Sequence, residues 1–141
     1  MKLGICSGYF QRFHTGHRKY IKDAIAACDM VVVIVNNDRQ QKRKYKGFKK
    51  LKSAGEIAEQ IRKELEVMTT ESIDQDGSVC QTLTQLRKKY PGDDLYFCKD
   101  ADRTIENIPE AKTLARENIK LLQFSNPKVE SSTAIMQREA K

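Results

Sequence analysis

Along this chain, short unbroken apolar runs alternate with stretches in which apolar residues recur every three or four positions. Lys2 to Ser7 and Met30 to Asn36 (MVVVIVN) are of the first kind. A β-branched run such as the second reads as a strand buried on both faces, as in a parallel sheet. Between them Ile21, Ala24, Ile25 and Cys28 stand at i, i+3, i+4 and i+7, which predicts a helix from about His17 to Ala27. Asn37 to Lys52 is polar, basic and aperiodic, and reads as a mobile loop long enough to carry a function. Ser53-Ala54-Gly55-Glu56 matches a capping box opening a helix whose inner face is Ile57, Ile61 and Leu65. A short strand near Val67 to Ser72 follows. Ser78-Val79-Cys80-Gln81 is a second capping-box match, with Val79, Leu83 and Leu86 as the inner stripe. Asp94 to Cys98 is the fourth predicted strand and Pro109 to Asn118 a helix with proline near its first turn. Ile119 to Phe124 is the fifth strand, and Ser131 to about Ala140 the last helix. This alternation predicts an α/β fold: a doubly wound five-stranded parallel sheet, order 3-2-1-4-5, with helices on both faces. No repeat or linker divides it, so residues 1–141 read as a single domain.

Composition narrows the setting. A chain of 141 residues is long enough for one core of its own. No apolar run approaches the ~20 residues of a membrane-spanning helix. The N-terminus, MKLGICSGYF, moves straight into a strand without the apolar centre of a signal peptide, so a cytoplasmic protein with no membrane partner is expected. Cys6, Cys28, Cys80 and Cys98 are far apart and form no CxxC pair, which gives little support for a disulfide or a zinc site; three of them sit within apolar stretches, where a free cysteine packs as a small hydrophobe. The net charge of +7 is concentrated: seven basic residues lie in KRKYKGFKKLK, Lys42 to Lys52. Such a run calls for a polyanionic partner, a nucleic acid or a nucleoside triphosphate.

The candidate chemistry lies between the first strand and the first helix. His14-Thr15-Gly16-His17 contains both histidines of the chain. Residues three apart at a helix start share a side, so both imidazoles can address one object, and Gly16 lets that object approach the backbone. The helix N-terminus adds unpaired N–H groups and partial positive charge, which suit phosphate. Two imidazoles there can donate hydrogen bonds as negative charge builds during phosphoryl chemistry. Surface histidines without a role are the plain alternative, but the only two in the chain straddle a glycine at a strand-to-helix switch.

With Gly8-Tyr9-Phe10 ahead of it, HTGH resembles the HxGH signature of the cytidylyltransferase-like nucleotidyltransferases, whose fold is Rossmann-like. VNNDRQQ (Val35 to Gln41), followed by Lys46-Gly47, is similar to the branch that includes glycerol-3-phosphate cytidylyltransferases and ADP-heptose synthases. Phe97 to Glu110 resembles a segment that usually carries Gly-Gly-Asp-Arg, and Val129 to Ile135 the Ile-Ser-Ser-Thr motif opening the last helix. Four matches occur in the family's order. The resemblance implies transfer of CMP or AMP from a nucleoside triphosphate to a small phosphorylated polyol or sugar, with release of pyrophosphate and magnesium as the metal. It implies that His14, His17 and Lys46 are catalytic, with Lys42 and Lys44 near enough to take the lysine's part. It places Gly8, Tyr9, Phe10, Gly16, Asp102, Arg103, Ser131, Ser132 and Thr133 at the nucleotide.

The chain departs from the pattern in places. The position after the GYF triplet, usually acidic, is Gln11, and the Gly-Gly-Asp-Arg element reads Asp100-Ala101-Asp102-Arg103. CTP is favoured over ATP by the branch resemblance, and a homodimer is common among the relatives. Two alternatives stand beside this reading. One is a nucleotide- or nucleic-acid-binding protein that has lost catalysis; no aromatic-rich RNA-binding signature supports a nucleic-acid partner. The other is an adenylyltransferase of coenzyme synthesis, which shares the HxGH and Ser-Ser elements.

Overall fold

In a computed structural model the chain is described over residues 1–100 and 108–124. The strands are β1 (Lys2–Gly8), β2 (Met30–Val35), β3 (Met68–Glu71), β4 (Asp94–Asp100) and β5 (Lys120–Phe124). The helices are α1 (Thr15–Ala27), α2 (Asp38–Lys44), α3 (Ala54–Leu65), α4 (Cys80–Lys89) and α5 (Ala111–Arg116). All neighbouring strands pair in parallel, in the predicted order β3-β2-β1-β4-β5.

The pleat divides the core in two. On one face Leu3, Ile5, Val32, Ile34, Leu95 and Phe97 meet Leu83 and Leu86 of α4 and Leu114 of α5. On the other Cys6, Val31, Val33, Val35 and Cys98 meet Ile21 and Ala24 of α1 and Ile57 and Ile61 of α3. β2 serves both faces, which is why its sequence is a continuous β-branched run. The order reverses between β1 and β4, so the crevice at their carboxyl ends is where such sheets bind ligands.

Several local expectations are corrected. The supposed loop after β2 contains α2, because Asn37 caps it: its side chain accepts from the Gln40 N–H, and Gln40 returns a bond to the Asn37 backbone. Ser53 caps α3 as expected. Ser78 is not the N-cap of α4, which is Val79; Ser78 Oγ accepts from the Cys80 N–H at 3.3 Å, and the buried Asp74 carboxylate accepts from the N–H groups of Gln81 (2.7 Å) and Thr82 (3.1 Å). Ile25 lies on the outer side of α1 and is 40% exposed. α5 is shorter than predicted. The final helix expected from Ser131 lies outside the described residues, and among the described ones no helix is long and apolar enough to cross a membrane.

Candidate active site

Beyond the pair Ile5–Phe97, β1 and β4 no longer face each other as partners. Tyr20 of α1 fills the opening: its hydroxyl accepts from the Ser7 N–H at 3.2 Å and donates to the Cys98 carbonyl. One phenol thus serves two backbone groups that would otherwise extend the ladder, and it holds α1 to the splayed end of the sheet. Beside it the Lys99 ammonium, which the sequence reading missed, donates to Ser7 Oγ at 3.0 Å. The only sequence signal for Lys99 is a basic residue at the end of an otherwise apolar strand.

The loop from Tyr9 to His14 closes over this end. Gly8 ends β1, and a Cβ there would meet the Phe10 ring at 3.0–3.2 Å, so the missing side chain lets the loop fold back. Phe10 is buried, with its ring edge against His17 at 5.1 Å between centroids. Phe13 stacks on His17 from another side at 5.6 Å.

The histidines are arranged as a capping box in which imidazoles replace the usual hydroxyl and carboxylate. His14 is the N-cap of α1; its Nδ1 accepts from the Gly16 N–H at 3.1 Å. His17 Nδ1 accepts from the His14 N–H at 3.3 Å. The rings lie nearly parallel with centroids 3.8 Å apart. An Nδ1 that accepts carries no proton, so in both neutral rings the proton is on Nε2. Burial, with added repulsion from His14, Arg18 and Lys44, lowers the His17 pKa to about 3. Both rings are thereby fixed at the positive end of a helix, with the Nε2 of His14 buried.

The basic segment approaches from the far side. Lys44 Nζ lies 4.2 Å from the Tyr9 ring centroid and 5.6 Å from that of Tyr45, and it bears electrostatically on His17. Lys46 is exposed beyond the end of α2. The structure therefore brings Gly8, Tyr9, Phe10, His14, Gly16, His17 and Lys44 together, with Phe10 supporting the histidines from within the core. Asp102, Arg103, Ser131, Ser132 and Thr133 lie outside the described residues. Among the described residues no group of three or more His, Cys, Asp or Glu side chains is placed to hold a metal ion.

The family model described as cytidylyltransferase-like matches residues 5–138. The chain belongs to the cytidylyltransferase-like family. No curated protein sequence matches it. Among solved structures this family member is similar to the lipopolysaccharide core biosynthesis protein from Thermoplasma volcanium GSS1, at 18% identity and a TM-score of 0.65 over 91% of this chain and 98% of that one. It is also similar to a bifunctional NMN adenylyltransferase/ADP ribose pyrophosphatase from Francisella tularensis, at 15% identity and a TM-score of 0.69 over 97% of this chain but 41% of that one. The same enzyme complexed with AMP and a manganese ion gives a TM-score of 0.68 at 15% identity. At these identities the shared property is the Rossmann-like fold.

Proposed function

We propose that this protein is a nucleotidyltransferase that moves the nucleoside monophosphate of CTP or ATP onto a small molecule bearing a phosphate. The observation that carries the reading is the histidine capping box: both Nδ1 atoms accept backbone N–H groups, which fixes the two stacked rings at the start of α1 before substrate arrives. An oxygen of the acceptor's phosphate attacks the α-phosphorus in line, and the bond from that phosphorus to the bridging oxygen of the β-phosphate breaks. Pyrophosphate leaves with the electron pair. No covalent enzyme intermediate is needed, so the protein contributes position and charge. His14 and His17 donate to phosphate oxygens as charge accumulates there, and Lys44 adds positive charge from the basic segment, with Lys42 and Lys46 further out on the same arm. Asp102, Arg103, Ser131, Ser132 and Thr133 would contact the nucleotide. Magnesium would enter with the triphosphate, held by phosphate oxygens and water; its chemistry is to neutralise the leaving pyrophosphate.

Two acceptor classes are in play. The VNND segment favours a phosphorylated polyol or sugar with CTP as donor. The likeness to an NMN adenylyltransferase favours a phosphorylated coenzyme precursor with ATP. Pyrophosphate release from each nucleotide, with magnesium, across both classes of acceptor decides between them. Turnover with one donor and one acceptor, lost in His17→Ala, is the expected result. Silence across the panel together with no binding of either nucleotide would contradict the reading.

A further inference from the structure

Between the histidine loop and the basic segment lie buried amides that the proposed chemistry does not use. Gln11 is fully buried, 0% exposed, although it sits in a loop. Its Nε2 donates to the Lys52 carbonyl at 2.7 Å and to Gln41 Oε1 at 3.2 Å, while its Oε1 accepts from the Lys52 N–H at 3.2 Å. Gln41, also buried, donates to the carbonyls of Tyr9 at 2.7 Å and Asn36 at 3.1 Å. The arm from residue 42 to residue 52 is therefore fastened at both ends to the loop that carries the histidines. Arg12 adds a bond to the Lys50 carbonyl at 3.2 Å. The fastening is held against backbone preference: Phe10 and Arg12, on either side of Gln11, have φ of 54° and 50°, and Lys50 has 61°. Non-glycine residues adopt that region at a cost, and such outliers cluster where function constrains the chain.

We propose that Gln11 and Gln41 are positioning residues for the triphosphate, holding the basic arm and Lys44 in particular against the histidines; this rests on the nucleotidyl-transfer reading. Lys44 follows Gln41 by three residues on α2, so the two share a side of the helix. The same Tyr9 whose carbonyl Gln41 holds lies beneath the Lys44 ammonium. A lysine-rich arm ordered beforehand loses less freedom when an anion binds, and that difference appears as affinity. The chemistry of the position explains why it is an amide. Gln11 faces two acceptors, Lys52 O and Gln41 Oε1, and one donor, the Lys52 N–H. An amide offers both donors and an acceptor, whereas a carboxylate of the same shape would press a buried negative charge against two oxygens.

The test compares wild type, Gln11→Glu, Lys44→Ala and the double variant in two measurements: hydrogen exchange of the Lys52 backbone amide, and calorimetric binding of magnesium-CTP and magnesium-ATP. Gln11→Glu should speed exchange at Lys52 and weaken binding of the favoured nucleotide about tenfold, the size expected for one lost charge-assisted contact. Because Gln11 acts through Lys44, the double variant should bind no more weakly than Lys44→Ala. Gln11→Met removes all three bonds, the Lys52 N–H bond included, without adding charge and carries the test if the glutamate variant does not fold. Wild type that binds nucleotide while Gln11→Glu binds it equally tightly overturns the positioning role alone, as do losses that multiply in the double variant. Wild type that binds neither nucleotide overturns the nucleotidyl-transfer reading as well.

Discussion

His14 and His17 each commit Nδ1 to a backbone N–H of the fold. That commitment has a pH signature. His17 has a pKa of about 3 in the folded chain, whereas an exposed histidine in the unfolded chain titrates near pH ~6.5. Between those values the unfolded chain takes up a proton that the folded chain refuses. The contribution of His17 to stability is therefore full above about pH 6.5 and is lost progressively as pH falls toward 3. Urea unfolding followed over that range should show a slope that His17→Gln flattens; an unchanged slope would mean the ring is not held neutral. At neutral pH His17→Ala should lower turnover by about 10²–10³, the usual consequence of removing one donor to developing charge. The HxGH spacing made the candidate pair legible in the sequence. Its geometry was not: nothing in HTGH says that His14 lies outside the helix as its cap, because histidine is not among the usual capping residues.

Among the elements, α2 separates what local sequence reveals from what it conceals. Its residues carry no apolar stripe, so periodicity could not find it. Yet Asn37-Asp38-Arg39-Gln40 is itself a capping pattern, and the structure uses it. Asn37 also donates to the carbonyls of Ser72 at 3.1 Å and Asp74 at 2.8 Å, and Gln40 donates to the Ser78 carbonyl at 2.9 Å. A polar segment is thus held by the half-buried Asn37 and the buried Gln40, whose amides reach residues more than thirty positions away, which no local window contains. Asn37→Ala should cost at least the ~1 kcal/mol of a lost cap, read as a lower unfolding midpoint. α4 shows the converse. Ser78 stands at the right spacing for a capping box, but its hydroxyl takes the Cys80 N–H, while Asp74 takes those of Gln81 and Thr82, and a carboxylate makes the stronger bonds. On α2 the ammonium near the histidines is that of Lys44, so Lys44→Ala should weaken nucleotide binding more than Lys46→Ala. Equal effects would mean that charge anywhere on the arm suffices.

For the whole molecule, strand order and layer assignment were readable because the apolar runs and helical stripes alternate without interruption, and right-handed crossovers leave few ways to arrange them. The splay between β1 and β4 was not readable, since it depends on Tyr20 reaching across from α1. Tyr20→Phe leaves the Ser7 N–H and the Cys98 carbonyl without that hydroxyl. It should destabilise the fold by about 1–3 kcal/mol in urea unfolding and loosen the crevice that carries the site.

Positioning of an α-phosphorus for attack by an acceptor phosphate can be followed through the α-phosphate of CTP or ATP, isotopically labelled, during turnover with the acceptor that supports pyrophosphate release. The label should move onto the acceptor as a new phosphoanhydride, one pyrophosphate leaving per label transferred. Label recovered as free nucleoside monophosphate, or pyrophosphate released without transfer, would contradict it.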